Sequence, residues 1–230
     1  MFDNRRGSRS RAVKATIHAG GKTPDQAGQL SAANKMIRFL ELQLSRLFIF
    51  EPFPISIQAC GSPKAFADSS GIALCKEYIQ HLYRILEDRE RTLDVLSFSL
   101  FHEISRVLLS SWENPFSNHV EAVDELATVL MVMLNQRART EGAAGYMVQN
   151  PAISHALKKL FPDENHPLSA GRAKDVLIWL QDPKLALKWQ QVLVPHMQTT
   201  LLEKLKAQPT RWTDLSLVEK ELAERGRKAV

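Results

Sequence analysis

The stretch LDVLSFSLFHEISRVLL, residues 93–109, decides how this chain is read. It is an apolar helix interrupted by His102, Glu103 and Arg106, and polar groups in such a helix need a reason because each loses its water on folding. Helical geometry puts residues i and i+4 on one face, so His102 and Arg106 project together with Glu103 beside them. In a complete His-Glu-x-x-His motif that spacing gives two imidazoles to one zinc ion and leaves the glutamate to deprotonate the bound water. Arg106 stands in place of the second histidine. A guanidinium stays charged and has no lone pair to donate, so Arg106 cannot ligate a metal and would repel one. On spacing alone the trio reads more simply as structural, with Arg106 paired to Glu103 or to a carboxylate of the next helix and His102 a hydrogen-bonded core residue.

That next helix follows the loop Glu113-Asn114-Pro115-Phe116-Ser117-Asn118 and carries His119, Glu121, Asp124 and Glu125 ahead of the apolar residues 126–134. A loop this short makes the two helices antiparallel neighbours. Acids in the first turns can then face His102, where a third zinc ligand would be sought; the plainer reading is that acids favour a helix N-terminus.

A chain of 230 residues, 44% hydrophobic and 24% charged, can bury one core without metal or disulfide staples, so a single domain is expected. No apolar run reaches the roughly 18–20 residues needed to cross a bilayer, and the longest mixed stretch, residues 48–57, carries Glu51, Pro52 and Pro54. The opening MFDNRRGSRSRAVK is basic with no apolar segment behind it, so it does not read as a secretory signal. The default compartment is then the cytoplasm, or the periplasm or exterior if the start has been trimmed of a signal. Much of the net charge of +5 sits in that opening segment. Without a basic stripe, aromatic platforms or a reading motif, nucleic acid is not an expected partner. The chain also lacks a Ser-His-Asp order, a Gly-rich phosphate loop and a Cys-x-x-Cys pair, which removes support from other hydrolases, nucleotide enzymes and redox enzymes.

Residues 1–27 are polar and without periodicity and are expected to be disordered or loosely attached. The spacing of Met36, Phe39, Leu40, Leu44 and Leu47 predicts a helix over residues 31–50 with Ser31 as its N-cap. Pro52 and Pro54 end it. Residues 55–60 and 71–75 then predict two short strands forming a hairpin through Gly-Ser-Pro and Asp-Ser-Ser-Gly turns, with little other β-structure. Cys60 and Cys75 flank this segment and can meet across it: a disulfide would fit an oxidising compartment, two buried thiols the cytosol. From Lys76 the pattern is helical, with breaks near Asp88, at Asn114-Pro115, residues 142–145, residues 162–167 and Asp182-Pro183, which predicts about six further helices. Trp179, Leu180, Leu187, Trp189, Leu193 and Leu201 read as packing surface, and residues 211–230 as a charged C-terminal helix or tail. The expected fold class is mainly α (α+β), with a short cysteine-flanked β-hairpin.

Several segments together resemble a bacterial family described as metallopeptidases of the zincin type. They are QACG (58–61) with AFAD (65–68) and IALCKE (72–77), then His102-Glu103, EAVDELA (121–127), and DENHPL (163–168) leading to Arg172. The resemblance implies a zincin-like helical domain over residues 28–210, a zinc cofactor on a His-Glu-x-x-His helix, a third ligand from a Glu-x-x-x-Asp pattern and a peptide substrate. Carried onto this chain, it makes His102 the first zinc ligand, Glu103 the general base, Asp124 the acid that orients a ligand histidine, and His166 a candidate transition-state donor. Two positions depart from it. Arg106 replaces the second histidine, and Val120 stands where the third-ligand glutamate falls if Asp124 marks the register. Glu121 and His119 flank Val120 as candidate replacement ligands, each rotated by about 100° from it. In one reading the chain is a silent relative without zinc, in which Arg106 takes the metal's place against Glu103, Glu121 or Asp124 and the old cleft binds a peptide or protein. In the other it is an active zinc metallopeptidase using His102, Glu103 and non-standard further ligands.

Overall fold

The computed structural model describes residues 16–17, 24–50, 52–68, 71–160, 169–182 and 184–198. The expectations for His166, for the break at residues 162–167 and for residues 211–230 lie outside them, as does most of the opening segment. Among the described residues are eight α-helices and four strands.

Helix α1 (Pro24–Leu47) begins on a proline, whose fixed φ suits a first turn and whose missing N–H has no partner to find there. Ser31 is therefore inside the helix and not its N-cap. The polar residues before it are carried into the helix because Leu30 extends the buried stripe of Ala33, Ile37, Leu40, Leu44 and Leu47. Phe39 is not part of that stripe and is 47% exposed. The helix stops at Leu47, and Phe48 instead forms an antiparallel bridge with Met197.

The sheet runs in the order β1-β2-β4-β3, where β1 is Thr16–Ile17, β2 Ile55–Gln58, β3 Ala65–Asp68 and β4 Gly71–Cys75. The two strands expected to pair as a hairpin, β2 and β4, are parallel neighbours, with Ile55 opposite Ile72 and Gln58 opposite Cys75. The hairpin is instead β3–β4, antiparallel, with Ala67 opposite Ile72. The four residues of β3 are half-exposed to exposed, without the alternation of a half-buried strand, so periodicity does not reveal them. Gly71 carries φ 125° at the tip of this hairpin, and a Cβ there would lie 2.3 Å from the Pro54 carbonyl oxygen. Only glycine fits.

Cys60 and Cys75 are disulfide-bonded, with Cα atoms 5.5 Å apart across 15 residues of chain. The bond ties the exit of β2 to the end of β4, and the Glu77 carboxylate braces the same corner by accepting from the Cys60 and Gly61 N–H groups, each at 3.1 Å. Closing a loop of this length constrains the unfolded chain by about 3 kcal/mol. Urea unfolding of the Cys60→Ser, Cys75→Ser double variant is expected to show a loss of that order; an unchanged midpoint would mean that the corner is held by Glu77 and packing alone.

The remaining helices are α2 (Lys76–Leu86), α3 (Arg89–Ser111), α4 (Val120–Met133), α5 (Arg137–Gln149), α6 (Pro151–Leu160), α7 (Ala170–Gln181) and α8 (Leu185–Leu193), seven where about six were expected. The break expected at residues 142–145 does not occur, and α5 runs through both glycines. Gly142 serves packing: a Cβ would meet Asp94 Oδ2 of α3 at 3.0 Å, so its absence lets the two helices approach. The breaks fall at Asn135, whose φ of 58° ends α4, and at Asn150 ahead of Pro151. Helix α3 lies at the centre, against α2, α4, α5, β3 and β4.

Glu41 on α1 is the clearest electrostatic liability of the fold. Burial pushes its carboxyl up to about 7 against the pull of Arg38, and its Oε1 is buried without a hydrogen-bond partner. The folded state therefore holds a proton that the unfolded state has already released, and stability falls as pH rises from the ordinary glutamate value of 4.5 towards about 7. Glu41→Gln should flatten this slope, read as the urea midpoint from pH 4.5 to about 7, the window the shift defines. An equal slope in both proteins would refute the assignment.

Candidate functional site

Asp88 caps α3, its side chain accepting from the Arg91 N–H at 3.0 Å. From there the helix carries an almost wholly buried run to Ser105. His102 is fully buried and Glu103 is 5% exposed, while the Arg106 side chain, one turn on, keeps 29% exposure. The i, i+4 geometry read from sequence is realised: Arg106 Nη2 lies 2.9 Å from His102 Nε2.

The other ring nitrogen faces α4. His102 Nδ1 is 2.7 Å from Asp124 Oδ1, and Asp124 is buried. A guanidinium only donates, so the Nε2 lone pair of His102 accepts from Arg106, and the ring proton then sits on Nδ1 and is donated to Asp124. Asp124 is held from a third helix as well. Arg172, in the first turn of α7, donates from Nε to Asp124 Oδ2 at 2.5 Å and from Nη2 to Oδ1 at 2.7 Å, a two-pronged grip. Ser169 caps α7 and its neighbour Ala170 donates its N–H to Ser154 Oγ at 2.8 Å, which fixes where that first turn begins.

Glu103 faces β3, where the Ala67 N–H hydrogen-bonds its carboxylate. Its Oε2 is 3.5 Å from Arg106 Nη1 and makes no hydrogen bond. Burial pushes the Glu103 carboxyl above its ordinary value, against the pull of His102, Arg106 and the Ala67 N–H. Of the partners expected for Arg106, the structure selects Glu103. Asp124 is taken up by Arg172 and His102, and Glu121 points outward. The more buried arginine–carboxylate pair of this region is thus Asp124–Arg172 and not one made by Arg106.

His119 and Glu121 are both exposed. His119 precedes α4 as its cap residue and makes an edge contact with the Phe116 ring. Neither is gathered with His102. Val120, by contrast, lines a small pocket together with Arg106. Sequence reasoning assigned no role to Arg172, although the resemblance ran up to it, nor to the Ala67 N–H of an unpredicted strand.

Residues 22–187 match the model of a family described as "putative metallopeptidase", and the chain belongs to that family. No curated protein and no solved structure matches it.

A zinc ion, implied by that family, needs three or four nitrogen, sulfur or oxygen ligands around one point. Among the described residues the only His, Cys, Asp and Glu side chains whose ligand atoms converge are Cys60, Cys75 and Glu77. Two of those are joined as a disulfide and have no thiolate to offer. At the motif, the lone pair that would face a metal accepts from Arg106, and Val120 has no donor atom. The described donor set does not fit zinc.

Proposed function

We propose that this chain keeps the fold of its family without its hydrolysis, and acts as a non-catalytic domain that binds a peptide or protein. The observation that carries the reading is the hydrogen bond from Arg106 Nη2 to His102 Nε2 at 2.9 Å. It uses the electron pair a metal would need, and it puts a fixed positive charge where the metal's charge would stand. The rest of the ancestral arrangement is reused to hold that substitution: Asp124 fixes the ring tautomer, and Arg172 fixes Asp124. Glu103, which a hydrolase would need free to take a proton from water, is hydrogen-bonded to the edge of β3 and lies against Arg106.

No helix of the described residues is long and apolar enough to cross a membrane. The disulfide supports an oxidising compartment as the place of action.

With excess zinc, the purified protein is expected to release no fluorescence from a quenched casein substrate above buffer, and to melt at the same temperature with and without EDTA. Hydrolysis that EDTA abolishes would overturn the reading.

A further inference from the structure

The Arg106 guanidinium is engaged with His102 through Nη2 and lies near Glu103 through Nη1. Arg106 also lines a pocket of about 150 Å³ together with Ser117, Asn118, Val120 and Val123. That lining holds one cation, one hydroxyl and one carboxamide, with two valines as an apolar wall and no acid. Ser117 and Asn118 make no side-chain hydrogen bond among the described residues, so a hydroxyl and a carboxamide, each able to donate, line the pocket beside a cation that only donates. The nearest carboxylate does not neutralise the cation well. Glu103 Oε2 stands 3.5 Å from Arg106 Nη1 without a hydrogen bond. Asp124 is committed to Arg172 and His102.

We propose that this pocket is a carboxylate-binding subsite, filled by the chain end or an acidic side chain of the peptide partner. The inference rests on the non-catalytic reading above and names the chemistry of what that site takes. A guanidinium recognises a carboxylate through paired N–H donors. The volume suits one carboxylate with its adjoining carbons rather than a folded segment. The valines exclude water from one side of the contact, which strengthens it.

Three probes decide it: acetyl-Ala-Ala-Ala with a free carboxylate, the same peptide as its C-terminal amide, and acetyl-Ala-Glu-Ala amide, each titrated by NMR chemical shift. One of the two acids is expected to bind about tenfold more tightly than the neutral amide, with the preference shrinking as salt is raised; which acid wins identifies chain end or side chain. Arg106→Gln should abolish the preference. Should that variant fail to fold, Asn118→Asp, at an exposed position, adds a competing negative charge and should weaken acid binding by about tenfold. Equal binding of acids and amide, no binding by any probe, or an Asn118→Asp variant that binds acids as the parent does would each overturn the subsite. The non-catalytic reading falls separately, by hydrolysis of any probe in the presence of zinc.

Discussion

Replacing Arg106 by His and Val120 by Glu together is expected to yield a chain that retains about one zinc ion per molecule, where the proposal expects the parent to retain none. The reason is local. Arg106→His frees the Nε2 lone pair of His102 and adds a second imidazole one turn along the same face of α3. Val120 lines the same pocket as Arg106, so a glutamate there reaches the same volume with a third donor. Asp124 already holds His102 Nδ1 at 2.7 Å, which leaves Nε2 pointing at the new site in the required tautomer. Elemental analysis after gel filtration reads the result, and adding His102→Ala should remove the metal. A zinc-free double variant that folds would mean that Val120 does not occupy the third-ligand position.

Asp124→Ala is expected to destabilise the protein by about 3–5 kcal/mol, the range for removing one partner of a buried ion pair. The carboxylate accepts from two nitrogens of Arg172 and from His102 Nδ1, and its side chain is 1% exposed. Its loss strips an acceptor from donors on two other helices at once. Arg106→Ala should cost less, about 1–2 kcal/mol, because the Arg106 side chain is 29% exposed and its ion pair is the loose one. Urea unfolding of the two variants side by side tests the ranking. A larger loss from Arg106→Ala would show that the ring is held chiefly by Arg106 and not by Asp124.

Much of this site was legible before the fold was known, for reasons that can be named. The helix spacing of His102 and Arg106 is a local property of the backbone, and the apolar residues around them announced a buried helix. Asp124 lies only one short turn and one helix away. Arg172 could not be placed by any such rule: it reaches Asp124 across 48 residues of chain, and only tertiary packing brings α7 there. Sequence also left open which acid Arg106 would choose, and competition decided it, since Arg172 had already claimed Asp124. In the sheet, the alternation of Ile55 and Ile57 and the fully buried β4 gave two strands correctly. Their parallel pairing was hidden because the strand between them in sequence, β3, pairs on the outer side of β4 and, half-exposed to exposed throughout, carries no alternation of its own. Glycines misled in α5, where Gly142 relieves a contact with Asp94 instead of ending a helix.

The central claim is that Arg106 has displaced the metal. The most direct measurement is the zinc content of the unmodified protein, purified without chelator, offered excess zinc and then gel-filtered. The account predicts that no stoichiometric zinc remains. Zinc retained at close to one ion per chain, and lost in His102→Ala, would contradict it and direct the search for further ligands to His119, Glu121 and His166.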